Sequence, residues 1–281
     1  MTACRPLLVC APLRLEARAL RGALPHRGVV RTGYGPANSG AAVRSLRHRD
    51  FGALAVAGVA GGVHESVRSG DVVVADELRS SRGVLRCPSA PLLAAEIRRL
   101  LSTAEPRGRT RVRCGPVVTE QRVTRGAARR DLAAGGALAV DLESAVLAGA
   151  ARERPLAVVR VVVDTSSHPL ATSGTVGRGM TALRRLRTIA PALVRWHQAT
   201  GPRRLVDRPG GAELVLTTRF GDGVGQPVCE VGDVALSWLV GVRDLAVVAD
   251  EPRTVEQFTD ALRGLGPLEG EPCRDAIEST S

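Results

Sequence analysis

The feature that most constrains this chain is an alternation between short valine-rich runs and longer stretches with helical spacing. Apolar runs at 6–11, 53–58, 71–75, 112–118 and 156–163 have the length and β-branched content of buried strands. Between them, 13–22, 37–49, 91–104, 126–134 and 142–153 place apolar residues at helical intervals. The expected fold class is α/β, a layered architecture with a largely central sheet. Functional residues then belong where strands end and loops begin.

The chain has 281 residues, 44% of them hydrophobic, enough for one large core and a small appendage. "DRPGG" at 207–211 reads as a linker. The expected division is a catalytic-sized domain over 1–204 and a small α/β appendage over 205–281. Within the appendage the pattern suggests strands at 213–218 and 244–249, a short helix near 233–240 and a helix at 253–265. No apolar run approaches the roughly 18 residues that span a bilayer. "PLLVCAPL", bounded by Arg5 and Arg14, reads as a first buried strand rather than a signal peptide. The six cysteines form no C-x-x-C pair, so a reduced, cytoplasmic protein is expected. The five histidines lack ligand spacing, so no metal is expected.

A formal charge of +11 suggests an anionic partner, yet all 39 basic residues are arginine and the chain has no lysine. That one-sidedness, with abundant Ala, Gly and Val, points to a compositional bias. Six aromatic residues are too few for a base-stacking platform, so no nucleic-acid partner is expected. An anionic membrane surface stays open as a partner. The segment 178–204, "RGMTALRRLRTIAPALVRWHQATGPRR", sets Leu183, Leu186, Ile189, Leu193 and Trp196 at helical spacing among arginines. Such a face suits either a lipid interface or packing on the sheet.

Two carboxylates open the small apolar stretch "AVDLESAVLAGAA", 139–151. Asp141 before an apolar run suits a helix N-cap, whereas Glu143 has no such simple use. "RTGYGPANSGAA", 31–42, places glycines between a strand and a helix. It lacks the third glycine of a dinucleotide site and the lysine of a P-loop, so a tight turn is the plain alternative. In "VAGVAGGVHESVRSGDVVVADEL", 56–78, Gly58, Gly61 and Gly62 let the backbone approach a ligand closely, or simply make a tight crossover.

In order along the chain, "RTGYGPANS", "GVAGG…GDVVVADE", "AVDLES" and "VVRVVVD" resemble the superfamily of purine nucleoside phosphorylases and methylthioadenosine/S-adenosylhomocysteine nucleosidases. The likeness covers roughly residues 5 to 200. Within it, "AVDLESAVLAGAARERPLAVVRVVVDTSSHPL" is most similar to the hopanoid-associated branch, whose substrate is adenosylhopane. The resemblance implies the nucleoside-phosphorylase-like fold, three layers with a central mixed β-sheet flanked by helices, a homo-oligomer and no cofactor, inorganic phosphate being an optional co-substrate. It implies that Glu143 binds the ribose hydroxyls with Leu142 against the sugar, and that Asp164 donates a proton to N7 of the purine. Glu16 of "LRLEAR" then positions or activates the nucleophile, and Gly61, Gly62, Arg122 and Val123 lie on the substrate. Each carboxylate has a plainer alternative: a turn cap for Asp164, a solvated helix position for Glu16, a surface ion pair for Glu143.

The chain departs from that pattern where phosphate and base are held. Val56 and Val59 stand where hexameric phosphorylases place an arginine and a serine, and valine cannot bind a phosphate oxygen. "TEQRV", 119–123, puts Arg122 where the nucleosidases have a ring that stacks on adenine. The appendage faintly resembles the end of the isoprenoid-pathway HMBPP reductase through "VCEVGDVALSWLVGVRDLAVVADEP", without that enzyme's three cysteine ligands. The expected activity is cleavage of an adenine nucleoside, adenosylhopane or a methylthioadenosine-type compound. A non-catalytic nucleoside-binding protein is the alternative. Every candidate site residue precedes the appendage, so a chain ending at Arg204 is expected to keep its adenine-releasing activity. Turnover of that truncated protein, with its fold checked by circular dichroism, measures this.

Overall fold

A computed structural model describes residues 5–24, 28–105, 110–152, 154–165 and 174–200, and the strand backbones at 203–205, 214–220, 227–231, 234–238 and 245–248. Two compact units divide the chain, Met1–Gln198 and Ala199–Ser281. In the first unit the elements run β1 Leu7–Ala11, α1 Arg14–Arg21, β2 Val29–Arg31, α2 Gly35–Leu46, β3 Ala53–Gly62, β4 Val72–Ser80 and β5 Gly83–Arg86. They continue with α3 Ala90–Ala104, β6 Val112–Thr119, α4 Gly126–Ala134, β7 Ala139–Asp141, α5 Ser144–Ala148, β8 Leu156–Asp164 and α6 Thr175–Thr200.

Alternating side chains give the sheet two buried faces. Val9, Ala55, Val72, Val74, Val159 and Val161 face one core with residues of α1, α3 and α6. Cys10, Leu54, Val56, Val73, Val158 and Val162 face the other with residues of α2 and α5. The result is the expected three-layer α/β fold with a mixed sheet. Five of the strands close on themselves. β3 pairs in parallel with β8, β8 antiparallel with β4, β4 in parallel with β6, β6 in parallel with β7, and β7 antiparallel with the end of β3. That closure brings the ends of β3, β7 and β8 together. The three-residue β2 and β7 and the exposed β5 had no strand signal long enough to read from the sequence.

Of the two uses open to the apolar stripe of 178–204, α6 takes packing on the sheet, and the lipid-facing expectation is corrected accordingly. Leu186, Ile189, Leu193 and Trp196 are buried in the core formed with α1 and α3, so these side chains are not available to a membrane. Apolar area is removed from water equally well by either partner, and here the sheet supplies it. Trp196 is fully buried and donates its indole N–H to Ser89 Oγ at 3.0 Å. No helix among the described residues is long and apolar enough to cross a membrane.

The second unit contains β9 Arg203–Leu205, β10 Leu214–Phe220, β11 Pro227–Val231, β12 Val234–Trp238 and β13 Leu245–Val248. They form an antiparallel sheet in the order β13-β12-β11-β10-β9. The short helix expected near 233–240 is instead strand β12. Only Gly232 and Asp233 separate it from β11, and Val231 pairs with Val234, so a two-residue hairpin connection overrides the local helical preference of Ala235 and Leu236. The strands expected at 213–218 and 244–249 coincide with β10 and β13, whereas the helix expected at 253–265 lies outside the described residues.

Replacing Trp196 with Ala removes the largest fully buried side chain among the described residues and takes one hydrogen-bond partner from Ser89 Oγ, which keeps Leu156 O. A loss of about 3–5 kcal/mol is expected, measured by denaturant unfolding of the parent and variant proteins.

Candidate active site

At the place where β3, β7 and β8 converge, the sequence puts one arginine in an otherwise apolar strand. Arg160 lies between Val158 and Val162 on the face that packs α2 and α5, and it has 0% exposure. Its Nε forms an ion pair with Asp141 Oδ2 at 2.8 Å, and Nη2 lies 4.0 Å from Glu143 Oε2. Nε and Nη2 also donate to Ser144 Oγ at 3.1 and 2.8 Å, and Nη1 reaches Val59 O at 3.5 Å. Burial alone lowers the pKa of Arg160. The negative charges of Asp141, Glu143 and Glu16 more than offset it and raise the value, so the group stays cationic.

Glu16 comes to this cluster from the first turn of α1 and is 1% exposed. Its Oε2 accepts the Leu13 N–H at 2.6 Å, filling an open donor at the helix start, and its Oε1 accepts the Val59 N–H of β3 at 2.7 Å. The approach depends on Gly58. A Cβ there would lie 2.6 Å from Glu16 Oε1 and 2.7 Å from Arg160 Nη1, closer than side-chain atoms tolerate. Burial raises the carboxyl of Glu16. The Arg160 charge and the two backbone donors pull it down, and Glu143 pushes it up again.

Glu143 stands just before α5 and is 4% exposed. Its Oε1 accepts the Gly35 N–H at 2.8 Å, the first residue of α2. Gly35 has φ +84, a conformation that glycine adopts without strain, and it aims this donor at the carboxylate. The glycine turn at 31–42 therefore holds a carboxylate of its own chain at a helix N-terminus, where negative charge is favoured. Burial raises Glu143 as well, countered by Arg160 and Gly35 and reinforced by Asp141. Asp141 does act as a local cap. Its Oδ1 accepts the backbone N–H groups of Glu143 and Ser144 at 3.2 and 3.1 Å and the Thr119 hydroxyl at 2.8 Å.

Asp164 ends β8 and is 5% exposed. A register shift next to it makes Ala60 pair with Val162 but Gly61 with Asp164. Its Oδ2 accepts Arg129 Nη2 of α4 at 2.7 Å. The structure thus brings Glu16 and Glu143 together around Arg160, with Asp164 four residues along the same strand. None of the three carboxylates is solvated, and the residues 166–168 that Asp164 was alternatively expected to cap lie outside the described residues.

The remaining expected contacts are distributed differently. Leu142 is buried beside Glu143, but Gly61 and Gly62 are within β3 rather than in an open turn. A Cβ on Gly61 would collide with the Arg129 guanidinium, and one on Gly62 would meet Val162 at 2.9 Å. Arg122 and Val123 are exposed between β6 and α4 and take no part in the carboxylate cluster. Sequence reasoning missed Arg160, whose signal is a lone cation inside "LAVVRVVVD". It also missed Arg129, which has no distinguishing signal within "RGAARRD". No group of three or more His, Cys, Asp and Glu among the described residues can hold a metal ion.

A three-layer α/β fold with buried carboxylates at the ends of β3, β7 and β8 defines an enzyme of the nucleosidase and phosphorylase class. The model of the Phosphorylase superfamily matches residues 16–195, more than half of the chain, and the protein belongs to that superfamily. Solved structures agree in fold. A point mutant of the Helicobacter pylori methylthioadenosine/S-adenosylhomocysteine nucleosidase, with 5′-methylthioadenosine in its active site, superposes with a TM-score of 0.56 at 14% identity, covering 68% of this chain and 98% of that one. The Neisseria meningitidis enzyme in complex with methylthio-immucillin-A gives 0.56 at 18%, covering 68% and 99%. The Streptococcus pyogenes S-adenosylhomocysteine nucleosidase gives 0.53 at 22%, covering 67% and 97%. No curated protein matches the chain.

Arg160→Met leaves Asp141, Glu143 and Glu16 without their shared counter-ion. A destabilisation of about 3–5 kcal/mol is expected at neutral pH. Glu16 and Glu143 have raised pKa values in the folded protein, so the stability they allow is present at low pH and lost as pH rises through those values. The variant's deficit should therefore shrink on acidification, as thermal melts across pH will show.

Proposed function

We propose that the protein hydrolyses the N-glycosidic bond of an adenine nucleoside. The supporting observation is the placement of Glu16 and Glu143 around buried Arg160, with Asp164 at the end of the same strand. Asp164 delivers a proton to N7 as the C1′–N9 bond breaks and its electron pair leaves with the base. Glu143 engages the ribose hydroxyls and offsets positive charge developing on the sugar. Glu16 takes a proton from the water that adds to C1′.

Water rather than phosphate is favoured by the charge around the sugar end. Val56 is fully buried, and Val59 supplies only backbone groups. The guanidinium of Arg160 already points its donors at Ser144, Asp141 and Val59. A phosphate dianion entering beside Glu16 and Glu143 would meet two carboxylates and a cation that they already share.

For the 5′ side, adenosylhopane is the reading carried by the likeness of residues 139–170 to the hopanoid-associated branch. A methylthioadenosine-type substrate fits the structural neighbours equally well, since they hold 5′-methylthioadenosine and methylthio-immucillin-A. Adenine release from adenosylhopane, methylthioadenosine and S-adenosylhomocysteine, with and without phosphate, tests the proposal by mass spectrometry of the sugar product. Free ribosyl product without phosphate is expected, and a phosphorylated sugar formed only in its presence overturns the hydrolytic step. Asp164→Asn should lower turnover by about 10²-fold or more while the fold is retained. Because Glu16 must be ionised to accept a proton and burial raises it, the acidic limb of the rate profile should lie above the ordinary 4.5 of a glutamate. Glu16→Gln should lower turnover and leave only the limb set by Glu143, whose carboxyl burial also raises.

A further inference from the structure

Helix α4 carries a single buried residue, Arg129, and that residue is an arginine whose guanidinium ends against Asp164. The pair is nearly dry, with side-chain exposures of 9% and 7%. Nη2 is bonded to Asp164 Oδ2, but Nε is buried without an acceptor. Nε–H and one Nη2–H project from the same edge of a guanidinium, so an unused donor runs alongside the used one. A buried donor left unmade is costly, which makes this seat for Arg129 a poorly satisfied one. The guanidinium also lies over Gly61, in the space that a side chain would otherwise fill.

A base whose N7 reaches Asp164 must come up to the same carboxylate and the same glycine. Arg129 and the base therefore compete for one volume. We propose that Arg129 is a resident occupant of the base subsite, which the purine displaces to reach Asp164. The inference rests on the nucleosidase reading only in taking Asp164 as the residue that meets N7.

Displacement also selects the base. When Nη2 leaves, Asp164 Oδ2 loses its donor and needs another. With the proton that Asp164 gives to N7 on one oxygen, its other oxygen accepts from the N6 amino group of a 6-aminopurine, whereas a 6-oxopurine sets the acceptor O6 against it. Arg129 thus acts as a threshold that adenine crosses more easily than hypoxanthine. Leaving its seat removes the one buried side chain of α4 and leaves the partly buried Leu132 and Ala133 to hold it, so base binding loosens that helix.

Equilibrium binding of the free bases to the full-length protein tests this without requiring turnover. Arg129→Met should bind adenine about tenfold more tightly than the parent, the scale of a charge-assisted hydrogen bond no longer to be displaced. Arg130→Met, which changes the exposed neighbour, should leave the affinity unchanged. The parent should prefer adenine to hypoxanthine by about tenfold. Equal or weaker adenine binding by Arg129→Met overturns the inference, as does absence of adenine binding to both proteins. Should the variant fail to fold, hydrogen exchange in the parent decides: amides of 126–134 should exchange faster with adenine bound, and unchanged or slower exchange overturns it. Adenine binding with these effects but no nucleoside cleavage would sink the hydrolytic reading alone. Cleavage with no response at Arg129 would sink this inference alone.

Discussion

A fully buried guanidinium surrounded by carboxylates is the constraint on which this structure depends. Arg160 sits in the middle of β8, a strand otherwise made of Leu, Ala and Val up to its terminal Asp164, and so it is placed by the sheet rather than by a flexible loop. Removing such a charge from water is tolerated only when partners surround it. The partners come from α1, β7 and the turn before α5, with Ser144 opening the helix. Those elements are consequently pinned to one point. The carboxylates that Arg160 gathers are thereby held without freedom to wander.

Each carboxylate is also tied by backbone donors that have structural uses of their own. Glu16 closes the start of α1 and clasps β3 through Val59, and Glu143 receives the first N–H of α2 through Gly35. Burial pushes both carboxyls up while these donors and Arg160 pull them down. The net effect raises both carboxyls above the ordinary glutamate value.

Legibility from sequence followed the length and chemistry of each signal. The long valine runs and helices α1, α3 and α4 were readable because burial imposes a period on many residues at once. Glu16, Glu143 and Asp164 stood out because the segments that carry them resemble a family's motifs in the same order, and all three are buried. Strand β7 was too short to announce itself, and β12 carried Ala and Leu that local preference assigns to helix until its pairing with β11 is known. Five residues spaced as in 183–196 look the same whether they meet lipid or a sheet, and only the packing of α6 separates the two. Arg129 was illegible for a different reason. Arg130 shares its helix and Arg125 precedes it, and its meeting with Asp164, 35 residues away in the chain, is fixed by the closure of the strands and not by any local pattern.

The parallel pairing of β3 with β8 has a consequence for how the protein is made. Leu54 pairs with Leu156, and the chain between them must be synthesised before the two strands can meet. Pairing of such high sequence separation forms slowly because the loop must be closed before any contact repays it. On the ribosome, β3 emerges with β1 available on one edge but with its other edge, the one that β8 covers, unpaired for that whole interval. It carries Ala, Leu, Gly and Val with no charge to discourage association, since Arg160 and its carboxylates are assembled only at the end. Nascent chains of this protein are therefore most exposed to misassociation between the release of residue 62 and the arrival of residue 164.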